Sequence, residues 1–273
     1  MLDRAHEYTK MAEVEGTLWW YQALHHLVLA SIRAHAPAAD PEILDAGCGT
    51  GGLMLFLRAH GLCRLRGFDL SEHAVAWCNK RDLDVRQGNL LDIGKLHAER
   101  SADVIVSNDT MYGIDHEQQA SVVQQCAAIL RPGGLLILNL PALRAFSGIH
   151  DVSVGIRNRF SRADTRRLFS GPSYELMREC YWPFLLSPLI YAARAAQRRT
   201  MRRHKDFTVQ SDIALPPRWI NKTLLALVRA ENRLLSKKPF GSSLFVVARA
   251  RGQPTSALSS AATRSTLASG SSG

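Results

Sequence analysis

The stretch Glu42-Ile43-Leu44-Asp45-Ala46-Gly47-Cys48-Gly49-Thr50-Gly51-Gly52 constrains the fold more than any other part of the chain. A short apolar run ends in an acid, and a glycine-rich turn follows. Leu53 to His60 then reads as a helix with Leu53, Phe56 and Leu57 on one face. Strand, tight glycine loop and helix start are how a parallel α/β sheet builds a ligand crevice at the carboxyl ends of its strands. Glycine lacks Cβ, so such a loop can take unusual backbone angles and let a ligand come close. Gly47, Gly49 and Gly52 also fit the G-x-G-x-x-G pattern of dinucleotide binders, a weak signal by itself. Asp45 argues against that reading. A dinucleotide loop holds pyrophosphate at the helix N-terminus, where a neighbouring carboxylate repels it. A ligand carrying an ammonium or sulfonium group suits the carboxylate instead.

The chain in order supports an α/β sheet. Residues 1–40 read as a helical leader, with the aromatic group Leu18-Trp19-Trp20-Tyr21 and then Leu24, Leu27, Val28 and Ile32 at helical spacing. Pro37 and Pro41 end it. Leu65 to Asp69 is the second strand, and Ser71 is placed to cap the next helix. Leu83 to Arg86 is the third, followed by Gln87-Gly88-Asn89-Leu90. Ala102 to Ser107 has the continuous apolar pattern of a buried strand. Asn108, Asp109, Thr110, Met111 and Tyr112 stand at its carboxyl end. A helix starting at Asp115 or His116, the turn Arg131-Pro132-Gly133-Gly134 and a fifth strand, Leu135 to Leu140, follow. Leu143 to Phe160 reads as a loop or lid, and Ser161 to Ser170 as a helix. Ser173 to Tyr181 and Ser243 to Arg249 are the last strands. About sixty residues separate them, too many for a bare loop, and they read as helices over Trp182 to Arg203 and Ile220 to Leu235.

Asp-Ala-Gly-Cys-Gly-Thr-Gly at residues 45–51 resembles the first motif of class I S-adenosylmethionine (SAM) dependent methyltransferases. Pro132-Gly133-Gly134 before an apolar strand is a second mark of that family. Asn139-Leu140-Pro141-Ala142, His150-Asp151 and Arg157-Asn158-Arg159-Phe160 are similar to a bacterial subgroup, with Ile156 and Asn158 as departures. The resemblance covers about residues 15 to 250. It implies a Rossmann-like sheet of seven strands, mostly parallel with an antiparallel last strand, plus a helical lid and insert. The implied organisation is a leader (1–40), a SAM-binding core (41–181 and 242–250, lid 141–160), a cap insert (182–241) and a disordered tail (251–273). The implied cofactor is SAM, with S-adenosylhomocysteine as product, and no metal. The expected cofactor contacts are Trp20, Asp45, Gly47, Cys48, Gly49, Gly51, Asp69, Leu70, Asn89, Leu90 and Asn108. Asp69 would hold the ribose, and Asn89 stands where relatives have an aspartate facing the adenine amino group. His150, Tyr112 and Asp109 are the candidate catalytic residues, with Asp151 as the orienter of His150. His116 is a weaker candidate, since it can equally cap its helix.

Charge bears on the partner. The 273 residues hold 34 Lys+Arg against 24 Asp+Glu, a net charge of +10, which suits an anionic partner or a merely basic surface. The fourth strand lacks the Asn-Pro-Pro-Tyr of amino-purine methyltransferases and no RNA-binding module is appended, so nucleic acid is disfavoured as acceptor. The expected acceptor is a small or lipid-like, partly apolar molecule; an RNA methyltransferase, or a non-catalytic or aminopropyl-transferring relative, is the alternative. Trp182 to Tyr191 is apolar and aromatic, and Arg194, Arg198, Arg199, Arg202, Arg203 and Lys205 follow. That pairing suits a cap over the acceptor, with peripheral contact to an anionic membrane as an addition. No apolar run is long enough to span a bilayer, and the polar N-terminal stretch does not read as a signal peptide. The five cysteines have no zinc spacing and read as reduced, buried thiols. These features together suggest a cytoplasmic protein with contact at the inner face of the membrane.

Overall fold

The computed structural model describes residues 4–203, 214–235 and 237–252. Two helices open the chain, α1 (Arg4–Val14) and α2 (Trp19–His35). Then β1 (Ile43–Ala46), α3 (Gly52–Ala59), β2 (Leu65–Asp69), α4 (Glu72–Lys80), β3 (Val85–Gln87) and α5 (Ile93–Leu96) alternate. They are followed by β4 (Ala102–Asn108), α6 (His116–Ile129), β5 (Leu130–Pro141), α7 (Ile149–Val154) and α8 (Arg162–Leu168). The last elements are β6 (Tyr174–Trp182), α9 (Ser187–Arg203), α10 (Arg218–Leu234) and β7 (Ser243–Ala250). The seven strands form one sheet in the order β3-β2-β1-β4-β5-β7-β6. β7 runs antiparallel to both neighbours, and the other pairs are parallel. The seven-stranded α/β architecture expected from the sequence is therefore the observed one.

Helices cover both faces of the sheet because its central strands are apolar on both sides. On one face α2 packs Leu24, Leu27, Val28 and Ile32 against Val104, Val106, Ile137 and Val247, with Leu53 and Leu57 of α3 and Val228 of α10 beside them. On the other, Val122, Val123, Cys126 and Ile129 of α6 meet Leu44, Ile105, Leu136 and Val246. α6 starts where an acid predicts it: Asp115 caps the Gln118 amide, and Gln118 returns a bond in a capping box. The order of strands reverses between β1 and β4, so the crevice lies beyond their carboxyl ends, next to the loops after residues 46 and 108.

Several expectations shift. The third strand sits two residues later than its apolar pattern suggests. Strand β5 includes Arg131 to Gly134, which were expected as a turn, and its pairing with β4 shifts register there. The lid holds a short helix, α7, rather than a bare loop. Trp182 closes β6 instead of opening the insert helix, which starts at Ser187. It is fully buried, so packing overrides the helical pattern of its neighbours. Cys63 is exposed, unlike the four buried cysteines. It follows Leu62 in the turn between α3 and β2, where only Leu62 faces the core. Lys205 and residues 253–273 lie outside the described residues.

Candidate functional site

The loop after β1 is built by its glycines. Gly47 and Gly51 have φ of 80° and 86°, angles that side chains rarely adopt. A Cβ on Gly47 would stand 2.3 Å from Thr110 Cγ2, and one on Gly51 2.3 Å from Leu83 Cδ1. The protein's own side chains therefore crowd these two positions and require glycine. Cys48 turns its side chain inward among Met54, Cys78 and Leu83, so its backbone is the part a ligand could meet. Its thiol is raised above the usual range by hydrogen bonding with Cys78 and by burial.

Two carboxylates stand at the strand ends. Asp45 is buried, and its Oδ2 has no hydrogen-bond partner. Burial, with the charges of Asp69 and Glu15 added, pushes its pKa up to about 7. Asp69 accepts from the Gly49 amide at 2.9 Å through Oδ2 and from the Ser71 amide at 2.9 Å through Oδ1. Burial raises its pKa, and the amides of Ser71, Gly49 and Leu70 oppose that shift. Each of its oxygens keeps lone-pair capacity for a hydroxyl. Ser71 flanks α4 as expected but makes no side-chain cap. Leu70 beside Asp69 is 59% exposed. Asn89 Oδ1 accepts from the Leu91 amide at 3.0 Å, which orients its side chain and occupies one lone pair. Leu90 packs partly into the core.

A second group of candidate residues lies after β4. Asn108 Oδ1 is buried and unpartnered. Asp109 has a left-handed backbone, φ 51°. Its Oδ2 accepts from Asn139 Nδ2 at 2.8 Å, and Asn139 Oδ1 in turn accepts from Trp182 Nε1 at 2.9 Å. Burial pushes Asp109 up to about 7, with the Asn139 bond and the Arg159 charge holding it lower than burial alone would. The Tyr112 carbonyl accepts from the amides of Arg157 and Asn158, which ties the lid to this end of the sheet. Trp20 stacks on Trp182, with centroids 5.5 Å apart, and so joins the leader to the end of β6. Its neighbour Tyr21 lies on the same helix, α2. Burial and the charges of Glu15, Asp109 and Tyr112 raise its hydroxyl pKa, so it stays protonated. The side chain of His150 lies outside the described residues. Asp151 places both carboxylate oxygens on the Arg159 guanidinium, at 2.6 and 2.7 Å. A guanidinium fork satisfies both oxygens at once, as one imidazole N–H cannot. His116 sits in the first turn of α6 with its Nδ1 3.2 Å from Gln119 Oε1.

Glu15 was not foreseen. This buried residue accepts from Thr50 Oγ1 at 2.6 Å and from the Gly52 amide at 3.1 Å, and it pairs with Arg81. Arg81 also donates to the Thr50 and Ala12 carbonyls. The end of α1 is thus clamped onto the glycine loop. No local spacing marks Glu15, since its partners lie 35 to 66 residues away. Asn139 was more visible: a polar residue inside the apolar run Leu135 to Leu140 signals a buried hydrogen bond. Among the described residues no group of three His, Cys, Asp or Glu could hold a metal ion.

Comparison with known proteins agrees with this geometry. Residues 43–134 match the family model for a methyltransferase domain. A Mycolicibacterium smegmatis protein named "Probable S-adenosylmethionine-dependent methyltransferase" is 35% identical over 133 residues, covering 47% of this chain and 48% of that one. The ubiquinone biosynthesis O-methyltransferase of Ralstonia nicotianae is 30% identical, covering 42% of this chain and 53% of that one. The chain thus spans about half the length of the curated relatives it matches. Among solved structures, geranyl diphosphate C-methyltransferase from Streptomyces coelicolor superposes with a TM-score of 0.53 at 18% identity, over 85% of this chain and 79% of that one. That likeness is one of fold. Residues 43–134 are therefore similar to a SAM-dependent methyltransferase domain.

Proposed function

We propose that the protein moves a methyl group from SAM to an O, N or C atom of a small or lipid-like, partly apolar acceptor. The observation that supports this most is the unpartnered, buried Asp45 Oδ2 beside Asp69. Two carboxylates at the mouth of a glycine loop oppose pyrophosphate and suit a ligand with a cationic group. SAM fits these residues: Asp45 would face its ammonium end, Asp69 its ribose, and Leu70 and Asn89 its adenine. When bound, it supplies a methyl group on a sulfonium, whose departure leaves a neutral thioether. The protein therefore needs no acid for the leaving group, and its main task is alignment. Asn108, Asp109, Tyr112 and Tyr21 would position the acceptor. For a hydroxyl or amine acceptor a base helps, and Asp109, with a pKa of about 7, suits that role. His150 and Tyr112 are the other proposed acceptor-side groups. RNA as acceptor is the lesser reading, since no specific contact favours it.

Calorimetry with SAM, S-adenosylhomocysteine and NAD tests the cofactor. SAM is expected to bind with micromolar affinity. Asp69→Ala removes hydrogen bonds worth about 1–3 kcal/mol and should weaken binding by roughly ten- to a hundredfold. Preference for NAD would overturn the reading. Incubation with methyl-labelled SAM and either a bacterial lipid and small-molecule extract or total RNA tests the acceptor. Label confined to RNA would sink the small-molecule assignment. No helix among the described residues is long and apolar enough to cross a membrane. We place the protein in the cytoplasm, with peripheral contact at an anionic membrane surface.

A further inference from the structure

A cavity of about 370 Å³ lies between the lid and α9. Arg144, Arg157, Arg159 and Arg198 line it, and Asp151 is the one carboxylate among its lining residues. Asp151 is committed to Arg159, which also donates to the Ala142 carbonyl at 2.8 Å. That pair cancels one positive charge. Arg198 donates to the Ala145 and Ser147 carbonyls at 2.9 and 2.6 Å, which fix its guanidinium without neutralising it. Among the described residues, the guanidinium groups of Arg144 and Arg157 have no hydrogen-bond partner. Three positive charges therefore face one concavity without a counter-charge in its lining. Val152, Ile156 and Met201 add apolar wall.

The cavity adjoins the acceptor end. The Arg157 amide bonds the Tyr112 carbonyl at 3.2 Å, and the charge of Arg159 is felt at Asp109. Arginine forks match tetrahedral oxyanions, and a phosphate ester carries about −1.5 to −2 at neutral pH, closer to three guanidinium groups than a single carboxylate is. Resting on the methyltransferase reading above, we propose that this cavity binds a phosphate-class anion, the head of the methyl acceptor. The apolar wall then meets the part of the acceptor next to that head. The source is either a lipid-type phosphate or a soluble phosphate ester.

The test is calorimetry on the full chain with inorganic pyrophosphate and with dodecyl phosphate below its micelle concentration. Both should bind at sub-millimolar concentration, with Arg157→Gln and Arg198→Gln each weakening binding at least tenfold and leaving SAM affinity within about twofold. Tighter binding of dodecyl phosphate supports a lipid-type head; equal binding supports a soluble ester. Arg157→Gln breaks no side-chain hydrogen bond, so it serves even if Arg198→Gln disturbs the lid. The proposal is overturned if neither anion binds, or if both variants bind them as the unaltered protein does. Loss of SAM binding by the unaltered protein would instead overturn the cofactor assignment, because the anion readout needs no SAM.

Discussion

A buried carboxylate oxygen without a partner is costly, and Asp45 shows how its cost appears as a pH dependence. Its pKa stands at about 7 in the folded protein against 3.8 for a free aspartate. Between those values the folded state holds a proton that the unfolded state has lost. Stability of the ligand-free protein therefore falls as pH rises from about 4 through 7, by at most about 1.4 kcal/mol per unit. A cationic ligand reverses the preference, because it pairs with the ionised form. SAM affinity is expected to rise with pH up to about 7, by at most tenfold per unit, and binding below pH 7 should release a proton. Calorimetry at several pH values and in buffers of different ionisation enthalpy reads both effects, and Asp45→Asn should flatten them. Asp109 is likewise raised to about 7 by burial. If the acceptor is a hydroxyl or amine, turnover should rise with pH through about 7, and Asp109→Asn should lower kcat by about 10²-fold with SAM affinity kept. Unchanged kcat would move the base role to His150 or Tyr112. Asp45 and Asp69 were legible in the sequence because each closes an apolar run just before a turn. The stacking of Trp20 on Trp182 was not, because the direction each of three adjacent aromatics takes depends on how α2 packs.

The elements around the glycine loop depend on one contact between distant parts of the chain. Glu15 follows α1, and its carboxylate bonds Thr50 and Gly52 and pairs with Arg81 just beyond α4. A Cβ on Gly52 would stand 2.3 Å from Glu15 Oε2, so that glycine makes room for the clamp. The strand-loop-helix unit was readable from residues 42–60 alone, since its pattern is local. The clamp was not, since an acid in a polar leader has no local signature. Removing one partner of a buried ion pair typically costs about 3–5 kcal/mol, because the other charge stays buried. Glu15→Ala should therefore lower stability by a few kcal/mol, read from the denaturant midpoint. It should also weaken SAM binding about tenfold or more, since Thr50 and Gly52 lose their anchor. Full SAM affinity in a folded Glu15→Ala protein would show that the loop holds its shape without α1.

At the scale of the whole molecule, the insert is what distinguishes this chain from a bare sheet with its helices. Its helices were visible as a span too long for a loop, but which face each one presents follows from packing. α10 lies against α2: Asn221 accepts from the Trp19 amide at 2.8 Å and donates to the Thr17 carbonyl at 2.7 Å. Val228 and Glu231 are its buried residues, and Glu231 bonds the Phe184 and Leu185 amides, which joins it to the start of the insert. The opposite face carries Trp219, Leu227, Ala230 and Leu234 at helical spacing, with Trp219 72% and Leu234 76% exposed. Arg218, Lys222, Arg229 and Arg233 are exposed and form a row beside that stripe. The sequence directed attention to Trp182–Tyr191 and the arginines that follow, but two of those arginines, Arg194 and Arg198, face the lid. An apolar stripe flanked by a basic row is the arrangement of a helix lying in a membrane interface. The protein is expected to sediment with vesicles containing phosphatidylglycerol at low salt and to remain free with pure phosphatidylcholine. Each basic residue near the surface contributes about 1 kcal/mol, so Lys222→Glu with Arg229→Glu should largely abolish sedimentation, and added salt should do the same. Trp219→Ser with Leu234→Ser removes the apolar part and should weaken binding at any salt concentration, while SAM affinity stays unchanged because both side chains are largely exposed. If the unaltered protein stays in the supernatant with anionic vesicles, α10 is not a membrane-binding face.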